Sequence, residues 1–251
     1  MAFHFAFFKV VLKLNKKLQQ YLSLRKNCMS KKAKPKPEVH EYQAEMQKLL
    51  EILVHSLYTE REIFLRELVS NASDALSKVQ LTTLTEEKVL DKDAELQVTI
   101  SLDEEERKIV IEDSGCGMTK EELVENLGTI ANSGTLKYLE QLKTENKSAE
   151  NLIGQFGVGF YSVFMVSDRV ELTTRSWQED AKAWQWSSEG GGQYEIIPVD
   201  FKQRGTRITV FLKEDAKEFC SEWRLESIIK KYSNYLPFPE KKEEKTRKEQ
   251  I

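Results

Sequence analysis

Glu67, Asn71, Asp74 and Lys78 stand at spacings of four, three and four within FLRELVSNASDALSK, residues 64–78. A helix turns by about 100° per residue, so these offsets gather the four side chains into a band roughly 60° wide. Phe64, Leu65, Leu68, Ala72, Ala75, Leu76 and Val79 run beside the band as an apolar face. On its other side lie Arg66, Ser70, Ser73 and Ser77, which suit water. An acid, an amide, a second acid and an amine therefore line the border between core and solvent. Alone, such a stripe fits the polar margin of any amphipathic helix. Two further segments change that reading.

IVIEDSGCGM, residues 109–118, places Asp113 where an apolar strand stops, with Gly115 and Gly117 directly after it. Glycine allows positive φ and close approach of a flat ligand. A carboxylate at such a strand end can accept a hydrogen bond from an exocyclic amine, such as that of adenine. A DxGxG turn is often only a tight connection, and Cys116 reads as a small hydrophobe filling space. LIGQFGVGFYSVFMV, residues 152–166, sets Gly154, Gly157 and Gly159 before a helix expected to begin near Phe160. Exposed N–H groups and the positive helix end make a phosphate cradle. It lacks the Lys-Ser/Thr pair of a Walker A loop and does not follow a strand in a βαβ unit.

Three coordinated elements outweigh one. The long helix offers a carboxylate and an amide, the strand end an adenine anchor, and the glycine loop phosphate contacts. The amide oxygen of Asn71 suits Mg2+, which prefers oxygen ligands and keeps waters. Glu67, one turn earlier, is placed to orient or deprotonate an attacking water. Gly205-Thr206 offers a further hydroxyl near the base.

The elements that must hold these residues follow from pattern. Met46, Leu49, Leu50, Leu53 and Leu57 predict a helix over 41–58, and the chemical stripe a second over 60–80. LQVTISL (96–102) and KIVIED (108–113) read as a hairpin around DEEER. Thr119 with Glu122 resembles a capping box opening a helix at 120–127. A short helix is expected near 136–143 and helix signals resume at 159–167. Strands are expected at 169–175, 182–187, 193–198 and 206–213, and a last helix at 222–235, before Pro237 and Pro239. The fold class is α+β: a two-layer sandwich with helices covering one face of a largely antiparallel sheet.

At 251 residues, 40% hydrophobic and 31% charged, the chain can bury one sizeable core in water. Its net charge of −3 hides an asymmetry: residues 1–37 hold ten basic and no acidic side chains, leaving 28 basic against 41 acidic in the rest. An acidic body argues against nucleic acid as the main partner. Cys28, Cys116 and Cys220 form no CxxC and no paired framework, which favours a reducing compartment. His4, His40 and His55 are too scattered for a metal cluster, and no apolar run is long enough to span a membrane. Residues 1–28 read as a targeting presequence, a surface-seeking segment, or an extension upstream of a start at Met29. Domain boundaries are expected at 1–39 for a poorly ordered basic extension and linker, 40–237 for an ATP-binding domain, and 238–251 for the start of a charged interdomain linker.

ELVSNASDA, DSGCGMT, NLGTIANSGT, GQFGVGFYSVF and GTRITV occur here in the order found in the heat-shock protein 90 family. Over residues 40–237 the chain resembles that family's amino-terminal ATP-binding domain, of the Bergerat type shared with gyrase B, MutL and histidine kinases. The resemblance implies that Glu67 is the catalytic carboxylate, Asn71 the magnesium-linked asparagine and Asp113 the adenine-reading aspartate. Asp74, Lys78, Gly117, Met118 and Thr206 would surround the base and its waters. Asn126 and Phe160 match positions near sugar and phosphates, Gly157, Val158 and Gly159 the phosphate loop, and residues 128–157 a lid. Asn132 stands where some relatives carry lysine, and Cys116 where a branched apolar residue is common.

The implied function is an ATP-dependent chaperone that binds and slowly hydrolyses ATP to ADP with Mg2+. Lid closure would drive clamping of a homodimer on unfolded or partly folded clients in the cytoplasm, or in an organelle if residues 1–28 act as a presequence. The family supplies an arginine from a following domain that no arginine here matches, so hydrolysis by these residues alone is expected to be slow. The alternative is an ATP-gated interaction module in which hydrolysis is incidental. A histidine kinase would share the architecture, yet no histidine here sits in a phosphoacceptor motif.

Overall fold

The computed structural model describes residues 9–12 (backbone only), 36–42, 61–128 and 159–233. The helix expected at 136–143 lies outside them, as does that at 41–58 apart from its first two residues, of which Glu41 ends a strand. The described elements are β1 (Lys9–Leu12), β2 (Glu38–Glu41), α1 (Ile63–Thr85), β3 (Gln97–Asp103), β4 (Lys108–Asp113) and α2 (Lys120–Gly128). A 3-10 helix (Gly159–Met165) follows, then β5 (Ser167–Arg175), β6 (Ala183–Ser188), β7 (Gln193–Val199), β8 (Gly205–Leu212), a second 3-10 helix (Glu214–Phe219) and α3 (Glu222–Ser233).

The strands form one sheet in the order β1-β3-β4-β8-β5-β6-β7-β2. Every neighbouring pair is antiparallel except β1 and β3. Period-two alternation sends one side of each strand inward. Ile100, Ile111, Ile208, Leu172, Trp186 and Ile196 face one another across six adjacent strands, all buried. Each aliphatic side chain so buried stabilises the fold by about 1.5–3 kcal/mol. Two residues along, the same inward face carries Val98, Asp113, Thr206 and Thr174. Three of those four are polar, and all are buried. A hydrophobic row thus borders a polar one.

α1 lays Phe64, Leu65, Leu68, Ala72, Leu76 and Val79 on this face, against β3, β4 and the first 3-10 helix. Arg61 pins its start, donating from Nη1 to the Asp215 carbonyl (3.0 Å) and from Nη2 to that of Met165 (3.1 Å). The capping box of α2 is reciprocal: Thr119 N–H donates to Glu122 Oε2 (2.8 Å) and Glu122 N–H to Thr119 Oγ1 (3.2 Å).

Two expectations need correction. Residues 159–165 form a 3-10 helix, with the Ser162 hydroxyl donating to the Gly159 carbonyl three residues back (2.6 Å). All seven residues are buried, so no polar stripe favours a regular α-helix there. The flank of α1 assigned to water is also largely covered. Ser73 is buried, and Arg66 and Ser70 line a crevice against Ile228, Ile229 and Tyr232 of α3. The exposed face is instead the stripe itself: Asn71, Asp74 and Lys78 are open to solvent.

Candidate functional site

The polar row at the strand ends is built from backbone and side chain together. Asp113 closes β4, is only 7% exposed, and accepts the Gly115 N–H at Oδ1 (2.9 Å). Burial pushes its carboxyl up to about 7, although hydrogen bonds from the Gly115 and Thr206 backbone and the nearby Arg204 favour the charged form. Thr206 sits opposite on β8, and its hydroxyl meets that of Thr174 at 3.1 Å. Thr174 Oγ1 also lies 3.1 Å from the Gly205 carbonyl and accepts the Met118 N–H (3.0 Å). A hydroxyl has one proton. With Thr174 donating to Gly205, the Thr206 hydroxyl must donate to Thr174, and its lone pairs remain for a ligand.

The turn after Asp113 is held against α1 on one side and β5 on the other. Cys116 N–H donates to the Ala75 carbonyl of α1 (3.1 Å), and its own carbonyl accepts the Trp177 N–H (2.8 Å). A Cβ on Gly115 would lie 2.6 Å from Ala75 Cβ, so only glycine lets helix and turn meet this closely. Gly117 has φ +58°, and a Cβ there would fall 1.8 Å from the Arg175 carbonyl oxygen. Cys116 packs with Val79 and Val89, and burial pushes its thiol up, which fits a space-filling role.

About two turns nearer the start of α1, the Glu67 side chain is 13% exposed. Its Oε1 accepts Arg66 Nε (3.1 Å) and Nη2 (3.0 Å). Its Oε2 faces Gly159, where an added Cβ would lie 2.2 Å away. Phe160 follows, packed edge-on to Tyr161 and Trp186. The structure thus brings Glu67, Gly159 and Phe160 together at one end. Asp113, Gly117, Met118 and Thr206 assemble at the other, where exposed Asn126 reaches Met118 Sδ from Nδ2 (3.6 Å). Asn71 and Asp74 lie on α1 between them, and Lys78 follows just past Ala75. Asn132, Gly157 and Val158 lie outside the described residues.

Two contributors escaped the sequence reading. Thr174 had a signal, since it occupies the inward phase set by Val170 and Leu172. Arg204 had none. Its buried guanidinium donates from Nη1 to the Gly115 carbonyl (3.2 Å) and from Nη2 to the Asp91 carbonyl (3.3 Å), bracing the turn from beneath.

Helices over one face of an antiparallel sheet, with a buried acid and glycine turn at the strand ends, make the architecture of a nucleotide-binding ATPase domain. Residues 58–200 match the model of the family described as histidine kinase-, DNA gyrase B- and HSP90-like ATPase. The chain belongs to that family. It is 56% identical over 200 residues to the chaperone protein HtpG of Chlorobium chlorochromatii, covering 79% of this chain and 32% of that one. The HtpG of Chlorobaculum tepidum is 54% identical over 203 residues, again 79% and 32%. That of Wolinella succinogenes is 51% identical over 200 residues, covering 80% and 32%. The chain spans about a third of the length of the relatives it matches. Among the described residues, no helix is long and apolar enough to cross a membrane.

Proposed function

We propose that residues 40–237 form the ATP-binding domain of an ATP-dependent molecular chaperone, and that α1 and the β4 end jointly enclose the nucleotide. The observation that carries this reading is Asp113: a carboxylate buried on the inner face of the sheet, in a turn bonded to the helix that bears Glu67. Asp113 accepts the adenine amine, while Thr206, Gly117, Met118, Asp74 and Lys78 surround the base and its waters. Asn126 and Phe160 lie near sugar and phosphates, and Gly157, Val158, Gly159 and Asn132 contact the phosphate side.

Exposed Asn71 presents an oxygen donor one turn from Glu67, which fits a magnesium site completed by phosphate oxygens and waters. When bound, that ion neutralises charge on the phosphates. Glu67 takes a proton from the attacking water as the water oxygen bonds to the γ-phosphorus. The bond from phosphorus to the bridging oxygen breaks, giving ADP and phosphate. The relatives' printed name, chaperone protein HtpG, supports client proteins as partners of the whole protein. A homodimer in the cytoplasm belongs to the same reading as the form that would do this work.

A single pair of variants tests the assignment. Asp113→Asn should weaken ATP binding by calorimetry about 100-fold, since it replaces a buried charged acceptor. Glu67→Ala should bind ATP normally and lose turnover. Unchanged binding in the first would sink the site. Unchanged turnover in the second would leave an ATP-gated interaction module, a reading favoured by the Arg66 guanidinium already occupying Glu67 Oε1.

A further inference from the structure

We propose that Tyr232, on the last turn of α3, is a positioning residue for Glu67 that acts through Arg66; this rests on Glu67 being the catalytic carboxylate. Arg66 and Glu67 are neighbours in sequence, and side chains one residue apart on a helix point about 100° away from each other. Their ion pair therefore needs something outside α1 to hold the guanidinium over. That support comes from α3. Arg66 Cζ lies 5.5 Å from the centroid of the Tyr232 ring, within cation–π range.

The ring is itself tethered. Tyr232 Oη donates to Glu62 Oε1 (3.1 Å), and Glu62 Oε2 accepts Arg224 Nη2 (2.9 Å), with Lys231 as a further partner. Burial works to raise the Glu62 carboxyl, but Lys231, Tyr232 and Arg224 outweigh it and hold it below its ordinary value. Glu62 thus stays charged and keeps the end of α3 against the first turn of α1. Beside the ring is a crevice of about 130 Å³ walled by Leu65, Val69, Ile228 and Ile229. Close packing does not box in the guanidinium on that side. The aromatic face fixes it.

With Arg66 so held, Glu67 Oε1 is engaged and one of its two oxygens is withdrawn from water. Freeing Arg66 from the ring releases that oxygen, so α3 sets the fraction of time that the carboxylate can act as a base.

The test uses the full chain and compares kcat and KM for ATP, with melting temperature as a check on folding. Tyr232→Leu keeps apolar contact with Ile228 and Ile229 but removes the aromatic face and the hydroxyl. Its kcat should rise about 2- to 5-fold, the worth of one part-exposed cation–π contact, with nucleotide affinity unchanged. Tyr232→Phe, which keeps the ring and loses only the hydroxyl tether to Glu62, should stay closer to the parent value than to that of Tyr232→Leu. In an Arg66→Ala background Tyr232→Leu should do nothing more. An unchanged or reduced kcat, or an equal change without Arg66, would overturn the proposal. If Glu67→Ala alone leaves turnover intact, it is the catalytic assignment that fails.

Discussion

Two stretches of α1, its first turns and its middle, meet their surroundings in opposite ways. Around Asp113 the partners are backbone carbonyls and amides of Ala75, Gly205 and Trp177 together with the buried side chains of Thr174, Thr206 and Arg204, and the acid is itself buried. At the Glu67 end they are the tips of long side chains, Arg66 and Tyr232, beside solvent-facing Asn71. Backbone cannot move without unfolding a strand, whereas a guanidinium moves by a rotamer change. On the proposed assignment, the surface that would read the base is preformed and the surroundings of Glu67 are left adjustable.

Substituting a glycine at each end sharpens the contrast. Gly117→Ala would drive a Cβ into the Arg175 carbonyl at positive φ, and neither can yield. Stability should fall by about 3 kcal/mol or more, read by denaturant unfolding. Gly159→Ala meets the Glu67 side chain first, and that side chain can turn aside. Its midpoint should stay near the parent's, yet turnover should drop about tenfold because the carboxylate is displaced. Equal loss of stability in both variants would erase the distinction.

Protonation probes the Asp113 side without any substitution. The Asp113 carboxyl is raised from 3.8 to about 7 by burial, so the folded chain holds this proton where the unfolded chain has lost it. Its contribution to stability is full below about pH 4 and disappears as pH rises through about 7. Adenine needs the charged form as acceptor, so ATP affinity should run the opposite way, weakening about tenfold between pH 8 and pH 6. Asp113→Asn should flatten both slopes. Persistence of either in calorimetry would assign the proton elsewhere.

Legibility in the sequence divides along the same line. The β3–β4 hairpin, the α2 capping box and the α1 stripe were readable because each depends on residues close together in the chain. Asp113 stood out as an acid ending an apolar strand. Ser73 misled because its cover, like that of Arg66 and Ser70, depends on tertiary packing that no local pattern reports. Arg204 was invisible for a related reason. Its partners, Gly115 and Asp91, are 89 and 113 residues away. The 3-10 geometry at Gly159–Met165 likewise reflects burial on every side, which removes the periodicity that distinguishes helix types.

The amide of Cys116, bonded to the carbonyl of Ala75, joins two segments that the chain separates by some forty positions. Its hydrogen can be traded for deuterium only when the turn lifts off the helix. That one site is therefore a built-in clock for opening of the domain, and a purine clasped by both segments would slow it.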